Sequence, residues 1–168
     1  VKQNVLYILA NRYFKLNDIY EVRDQKVKYA KAVLTGASKQ AAIEAAELEK
    51  DATLYRCHFE FPASLSLYIN DKQIDAIKDG MTYNSLQVQY ESLVDMVPSL
   101  TEEEKKQIYA WYKEAREFSM DAENSDKKHA AFNKYKGRIN NYLTKRGYDL
   151  VKERNEWYKR LKAAGKKI

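Results

Sequence analysis

Chain breakers are scarce in this sequence of 168 residues, which contains five glycines and only two prolines, Pro62 and Pro98. Between the breakers, apolar residues recur every three or four positions, as they do along one face of an α-helix. Ala, Leu, Lys and Glu, which have high helix propensity, are abundant. The sequence therefore predicts an all-α fold, a bundle of about six helices with long first and second helices.

Length and composition favour one helical domain over residues 1–168. With 45% hydrophobic residues, a chain of this length can bury a core of its own. The single cysteine, Cys57, excludes an intrachain disulfide and a cysteine-rich zinc site. No run of about 18 apolar residues occurs, so we expect no membrane-spanning segment.

Local signals predict where the first helices end. Gly36 is expected to stop the first helix, and Ser38 is a suitable N-cap for the second. Pro62 is expected to kink or divide the second helix, because proline lacks an amide donor. Gly80 is expected to end a short helix in the left-handed conformation, leaving residues 81–87 as a connector.

The second half of the chain has clearer signals. Thr101 followed by Glu104 forms the pattern of a capping box. The helix that follows is predicted to bury an apolar stripe that includes Phe118. Ser125 is the expected N-cap of the next helix and Gly147 its stop, after which a last helix follows.

Charge is distributed unevenly along the chain. Residues 126–168 contain 14 Lys and Arg and four Asp and Glu, a net charge of +10, whereas residues 1–125 carry a net charge of −4. A basic segment of this kind suits phosphate, an acidic glycan, an anionic lipid or a protein partner, and equally a solvated helix face that docks on the acidic remainder. No helix-turn-helix or other nucleic-acid module is evident, so nucleic acid is a disfavoured partner.

The predicted helix near residues 126–146 carries a polar stripe. His129, Asn133, Lys136 and Asn140 recur at i, i+4, i+7 and i+11. Aromatic residues on an adjacent face border them, and amides beside an aromatic ring are typical of a sugar site. The same pattern also fits a helix whose polar face is merely solvated.

Gly137 lies inside this helix, where glycine is less favourable than alanine by about 1 kcal/mol. Its presence predicts that something approaches the backbone closely there. A packed neighbouring helix is the simpler interpretation, and a ligand is the alternative.

Signatures of catalysis are missing from the sequence. The two histidines, His58 and His129, have no recognised metal-ligand spacing, and no GxGxxG, Walker A, GxSxG or SxxK pattern occurs. We therefore expect no cofactor and no metal, and the sequence favours a binding protein over an enzyme. A base formed by His129 with Asp121 or Glu117 across the turn is the catalytic alternative.

Several long segments resemble the bacterial domain of unknown function family 3826. They cover most of the chain and are NRYFKLNDIYEVRD (11–24), KDGMTYN (78–84), DMVPSLTEEEKKQI (95–108), EAREFSMDA (114–122) and KHAAFNKYKGRINNYLTKRGYDL (128–150). The resemblance implies an exported, helical sugar-binding protein of carbohydrate-utilising bacteria, located in the periplasm or at the cell surface. The family brings no established catalytic residues.

The resulting first hypothesis is a protein that binds carbohydrate, or assists a carbohydrate-handling complex, without catalysing a reaction. The expected ligand-binding residues are the polar parts of the resembling segments: Tyr83, Asn84, Arg116, Asp121, His129, Lys136, Arg138 and Asn141. The guanidinium, imidazole, ammonium and amide groups would bond hydroxyls or a uronate carboxylate, and Tyr83 or Tyr142 would supply a stacking face. The alternatives are an interaction scaffold that docks through the basic C-terminal quarter, and a glycan-active lyase or hydrolase that uses His129.

Overall fold

The computed structural model describes residues 1–166, and all the regular secondary structure in that range is α-helical. The all-α prediction is confirmed. The helices number eight, or seven if α2 and α3, separated by Phe59 alone, are counted as one broken helix, so the predicted number of about six is too low. They are α1 (Lys2–Val33), α2 (Gly36–His58), α3 (Glu60–Ser66), α4 (Asp71–Met81), α5 (Ser85–Met96), α6 (Glu102–Met120), α7 (Ser125–Lys145) and α8 (Leu150–Ala163).

The first two helices are long, as predicted, with 32 residues in α1 and 23 in α2. Pro62 lies in the first turn of the seven-residue α3, just after the chain leaves α2. Proline is tolerated there because the amides of a first turn have no partner within the helix. The division of the second helix near Pro62 is thus confirmed.

Several predicted helix ends also match the structure. The Thr101 side chain accepts a hydrogen bond from the Glu104 amide, and the Glu104 carboxylate accepts one from the Thr101 amide, so the capping box is complete. Gly147 follows α7 with a φ of 95°, a conformation that favours glycine. α5 ends at Met96, before Pro98, as expected.

Four predicted helix boundaries are wrong. Gly36 has a φ of 53° but begins α2 rather than ending α1, and Thr35 is the N-cap in place of Ser38. α7 is capped by Asn124, whose side chain accepts from the Lys127 amide, and Ser125 is the first helical residue. α4 continues through Gly80 to Met81, and the left-handed residues come later in the chain.

The chain divides into two compact units, residues 1–76 and residues 77–168. In the first unit, α1 and α2 form a hairpin. Later residues of α1 pair with earlier residues of the following helices, since Arg23 binds Glu47 of α2 at 3.2 Å, whereas Lys15 binds Glu60 of α3 at 2.7 Å. Such pairing shows that the two long helices are antiparallel. Whether the two units form one domain stays a prediction.

The second unit contains the main hydrophobic core. α5, α6 and α7 contribute side chains that are almost fully buried, and α8 packs on α5 and α7. The core residues are Leu86, Leu93, Val97, Leu100, Ile108, Tyr112, Ala115, Phe132, Tyr135, Ile139 and Leu143. These positions fix one face of α7 to the core and leave its opposite face in solvent.

α8 has no buried residue, and hydrogen bonds from its C-terminal half attach it to α5. Arg160 donates to the main-chain oxygen of Asp95 at 2.7 Å and to that of Met96 at 3.3 Å, and the Trp157 indole donates to the Asp95 carboxylate. The Arg160 bonds serve carbonyls at the end of α5, which have no partner within their own helix.

Phe118 departs from the prediction that it belongs to the buried stripe of α6. The side chain is 61% exposed, while Ile108 and Ala115 on the same helix are fully buried. Its position three residues after Ala115 places it at the border of the buried face, where the ring stacks on Tyr135 of α7. Among the described residues, no helix combines the length and the apolar character needed to cross a bilayer.

Candidate functional site

The turn between α4 and α5 holds two consecutive non-glycine residues in the left-handed conformation. Tyr83 has a φ of 58° and Asn84 a φ of 56°. Such residues cost about 1–3 kcal/mol each and persist only where surrounding contacts enforce them. The enforcing contacts are local, because the amides of Thr82 and Asn84 both donate to the carbonyl of Asp79, at 3.1 and 2.9 Å.

The buried hydroxyl of Thr82 completes this turn. It donates to the carbonyl of Lys78 at 2.9 Å, so the side chain caps the end of α4. Residues 78–84 are therefore held as one rigid segment. Tyr83 therefore projects from a turn whose backbone is held by hydrogen bonds.

Tyr83 stacks on His129 of α7, and together they form an exposed aromatic surface. The ring centroids are 5.3 Å apart with an interplanar angle of 21°, and Tyr83 is 55% exposed. His129 is exposed as well. We call Tyr83, Asn84 and His129 the platform.

Lys128 of α7 contacts the platform from the protein interior. Its ammonium is buried, donates to the carbonyl of Met81 at 2.8 Å, and lies 5.6 Å from the centroid of the Tyr83 ring. An ammonium near an aromatic ring is attracted by the ring quadrupole. Lys128 thus fixes the end of α4 and the Tyr83 ring to α7 at the same time.

Arg116 has an internal role in the structure. The side chain is 3% exposed, and its guanidinium binds the Asp79 carboxylate at 2.7 Å and lies 3.7 Å from Glu117. Lys78 binds the same Glu117 carboxylate at 2.8 Å. This network joins α4 to α6 just below the platform, so Arg116 acts on the platform by positioning Asp79. Its predicted contact with a ligand stays a prediction.

The outer surface of α7 carries two polar rows. With about 100° of rotation per residue, His129, Asn133, Lys136 and Asn140 lie along one flank, which we call the amide row. The opposite flank carries the basic row, defined as Lys127, Lys134, Arg138 and Lys145. The predicted ligand-binding residues therefore divide, with His129 and Lys136 on the platform side and Arg138 and Asn141 on the other.

Arg138 lies beside an aromatic stack on the basic side of α7. Its guanidinium is 4.7 Å from the centroid of Tyr135, and it pairs with Glu114 at 3.6 Å. Burial, reinforced by a hydrogen bond to Glu114, raises the pKa of Tyr135 to about 12. Tyr135 is therefore a neutral hydrogen-bond donor at all ordinary pH values.

Gly137 lies between the two rows on the crest of α7. A Cβ added at this position would meet no heavy atom within 4 Å. The interpretation that a neighbouring helix packs against Gly137 is therefore wrong, because the glycine faces open space. The crest is lined by small residues at intervals of seven, Ala130, Gly137 and Thr144.

Asp121 ends α6 and is half-buried, at the start of the turn that leads to α7. Of the eight predicted ligand-binding residues, the structure brings Tyr83, Asn84 and His129 together and places Lys136 two turns along the same flank. Lys128 and Asp79 were missed as parts of this site. Neither carries a sequence signal, because a lysine on a helix and an aspartate before a glycine are usually exposed.

The most strongly perturbed carboxylate lies elsewhere, at the start of α6. Burial alone would raise the pKa of Glu104, but hydrogen bonds from Tyr148, the Thr101 amide and Arg146 outweigh it and lower the pKa to about 2. The acceptor distances are 2.7, 2.9 and 2.6 Å. A carboxylate with so many internal donors is a structural element that ties the end of α7 to α6.

Two cavities lie on the α1–α2 hairpin of the first unit. One of about 260 Å³ is bordered by charged side chains that include Arg23 and Lys50, and each of them pairs with Glu47. The other, of about 520 Å³, is apolar and has Tyr29 and Ala42 in its walls. Neither contains a predicted site residue. In the described part of the chain, no three His, Cys, Asp or Glu side chains are grouped so as to hold a metal ion.

Residues 1–163 match the family described as "protein of unknown function (DUF3826)". The chain belongs to this family. A comparison with curated proteins finds no match. Membership of DUF3826 thus agrees with the resemblance seen in the sequence, and it assigns no activity to the platform or to either row.

Proposed function

We propose that this DUF3826 protein binds carbohydrate without catalysing a reaction, through the platform and the adjoining amide row of α7. The observation that carries the proposal is the exposed Tyr83 ring, held rigidly in a left-handed turn and stacked on His129. A rigid aromatic ring can cover the apolar face of a sugar with little loss of conformational entropy.

Backbone strain at Tyr83 supports a role for this ring outside the fold. An asparagine or glycine would adopt the left-handed conformation with less strain than tyrosine does. The ring is more than half exposed, so burial of apolar surface does not offset this cost. Strained residues of this type are concentrated at binding sites.

Polar groups adjoin the platform and support the proposal. The Asn84 side chain makes no cap hydrogen bond to α5, although it occupies the N-cap position. Asn133 and Lys136 follow His129 along the amide row at distances of about 6 and 10 Å, by the rise of an α-helix. These amide and ammonium groups can bond hydroxyls along an oligosaccharide.

A panel of neutral and acidic oligosaccharides titrated by calorimetry tests the proposal. The informative variant is Tyr83→Asn, because asparagine tolerates the left-handed backbone and only the ring is lost. We expect it to weaken saccharide binding at least about tenfold, or roughly 1.4 kcal/mol. The matched control is Tyr109→Ala, which removes another exposed aromatic ring from the same unit, one that contacts Tyr90 of α5 and belongs to neither row of α7.

Binding by the wild type with unchanged affinity in Tyr83→Asn would contradict the role of the platform. Flat titrations of the wild type at millimolar saccharide would contradict carbohydrate binding itself. Export to the periplasm or the cell surface is part of this proposal through the resemblance to the family, and fractionation of the native host with an antibody to the protein tests it separately.

A further inference from the structure

We propose that the basic row of α7 binds an acidic polysaccharide, one that carries carboxylates along an extended chain. The inference builds on the proposed carbohydrate binding and assigns a substrate class to a different flank of the same helix. The platform would bind a sugar ring, and the cations of the basic row would bind the carboxylates of the polymer.

The basic row is straight and rigid. Lys127, Lys134, Arg138 and Lys145 follow one another at i, i+7, i+11 and i+18, which spans about 27 Å along the helix. The opposite face of α7 is fixed in the core by Phe132 and residues below it. The row therefore presents its four side chains to an extended ligand in a fixed order along one helix, and the backbone needs little rearrangement on binding.

The charges of the row are little used by the protein itself. In the described part of the chain, Lys127, Lys134 and Lys145 are exposed and make no ion pair. Arg138 pairs with Glu114 at 3.6 Å, but both side chains are about half exposed, and such a pair contributes little. The row thus creates a positive potential that an anionic polymer can meet.

Two further features favour a polysaccharide. Phe118 is exposed beside the row and stacks on Tyr135, which lies under the Arg138 guanidinium, so one aromatic ring adjoins the cations. The crest next to the row carries small side chains, and at Gly137 open space reaches the helix. A ribbon-like chain could therefore approach closely enough to contact the cations.

Other polyanions fit this surface less well. Single-stranded nucleic acid is bound through several exposed rings on which successive bases stack, and of the rings beside the row only Phe118 is well exposed, whereas Tyr135 is buried and Tyr142 half-buried. Helices that lie on anionic membranes insert an apolar face beside their cations, whereas the crest here offers Ala130, Gly137 and Thr144. The observations favour a polymer whose charges, rather than bases or acyl chains, are recognised.

The test compares an oligogalacturonate long enough to span the row with a neutral oligosaccharide of similar length. The informative variant is Lys134→Gln with Lys145→Gln. The matched control is Lys152→Gln with Lys159→Gln, which removes two exposed cations from α8. We expect the first variant to bind the uronate at least about tenfold more weakly. The slope of log K against the logarithm of the salt concentration should also become shallower, by roughly one for each cation removed. Binding of the neutral saccharide should not change.

Equal losses in the α7 and α8 variants would overturn the proposal, because the effect would then come from net charge. Tighter binding of a single-stranded oligonucleotide, or of phosphatidylserine vesicles, than of the uronate would also overturn it. A different result is expected if the platform does not bind sugar but the basic row does bind the uronate. Neutral saccharides would then not bind, and Tyr83→Asn would still bind the uronate. That outcome would support the row and reject the platform.

Discussion

At the scale of single residues, Glu104 should make the stability of the protein depend on pH in the acid range. Its pKa of about 2 in the folded protein lies below the ordinary value of 4.5. Because the folded-state pKa is depressed, the stabilisation is complete above about pH 4.5 and is lost as the pH falls towards 2. The difference corresponds to about 3 kcal/mol.

Glu104→Gln should therefore lower the free energy of unfolding by about 2–3 kcal/mol at pH 7 and flatten its decline below pH 4.5. Urea unfolding at several pH values measures both effects. The neighbouring Glu103→Gln is the control, because Glu103 is exposed and should change the stability by less than about 0.5 kcal/mol. If the free energy of unfolding of Glu104→Gln falls as steeply below pH 4.5 as that of the wild type, this explanation is wrong.

Arg116 belongs to the same scale, and its internal role predicts a structural cost. Arg116→Met keeps most of the side-chain volume but leaves the Asp79 carboxylate without its guanidinium partner. We expect a loss of about 3 kcal/mol of stability, as for other buried pairs that lose one member. Thermal unfolding followed by circular dichroism measures it.

Arg138→Met provides the matched control, since its pair with Glu114 is half exposed and should be worth less than about 1 kcal/mol. An Arg116→Met protein that is as stable as the wild type but has lost saccharide binding would contradict this expectation. It would mean that Arg116 serves the ligand, either directly, as its place in the sequence motifs predicts, or through Asp79, and is not needed for the stability of the fold.

At the scale of elements, Gly137 leads to a prediction of the opposite sign. The residue lies within α7 with helical backbone angles, and a Cβ would meet nothing within 4 Å. Gly137→Ala should therefore stabilise the protein by about 0.5–1 kcal/mol, because alanine loses less backbone entropy in a helix. Gly147→Ala should destabilise it, since Gly147 has a φ of 95°. Chemical denaturation of both variants checks the two signs, and destabilisation by Gly137→Ala would contradict the open crest.

Helix ends show what could be predicted from local sequence and what could not. The capping box of α6 and the stop at Gly147 depend on residues within a few positions of each other, and both were predicted correctly. The end of α4 was not, because its left-handed residues are Tyr83 and Asn84 rather than Gly80. Local hydrogen bonds to the carbonyl of Asp79 hold the turn, and a tertiary contact adds to them, because Lys128 of α7 binds the carbonyl of Met81.

At the scale of the whole molecule, periodicity predicted the fold class but not the site. Residues of one helix can be assigned to a flank from their spacing, which separates His129 from Arg138 on α7. Contacts between helices are invisible to that reasoning. The burial of Arg116 against Asp79 and the stacking of Tyr83 on His129 join positions 37 and 46 residues apart, and no local sequence pattern predicts these contacts.

The division into two units makes the single-domain prediction testable. The core cluster lies entirely within residues 86–143, and the ties of α8 to α5 lie in the same unit. By contrast, the helices of residues 1–70 bury few apolar side chains and leave large ones such as Tyr7, Phe14 and Leu48 exposed. A fragment of residues 71–168, which keeps α4 whole, should therefore fold on its own, because it retains this core.

We expect that fragment to unfold in one cooperative transition, with coincident near- and far-ultraviolet circular dichroism, whereas a fragment of residues 1–70 should unfold with low cooperativity. Two antiparallel helices bury little apolar surface between them, so opening the hairpin exposes little additional apolar surface. Non-coincident transitions in the 71–168 fragment would mean that its core needs the first 70 residues. The chain would then be one cooperative domain, as its length and composition predict.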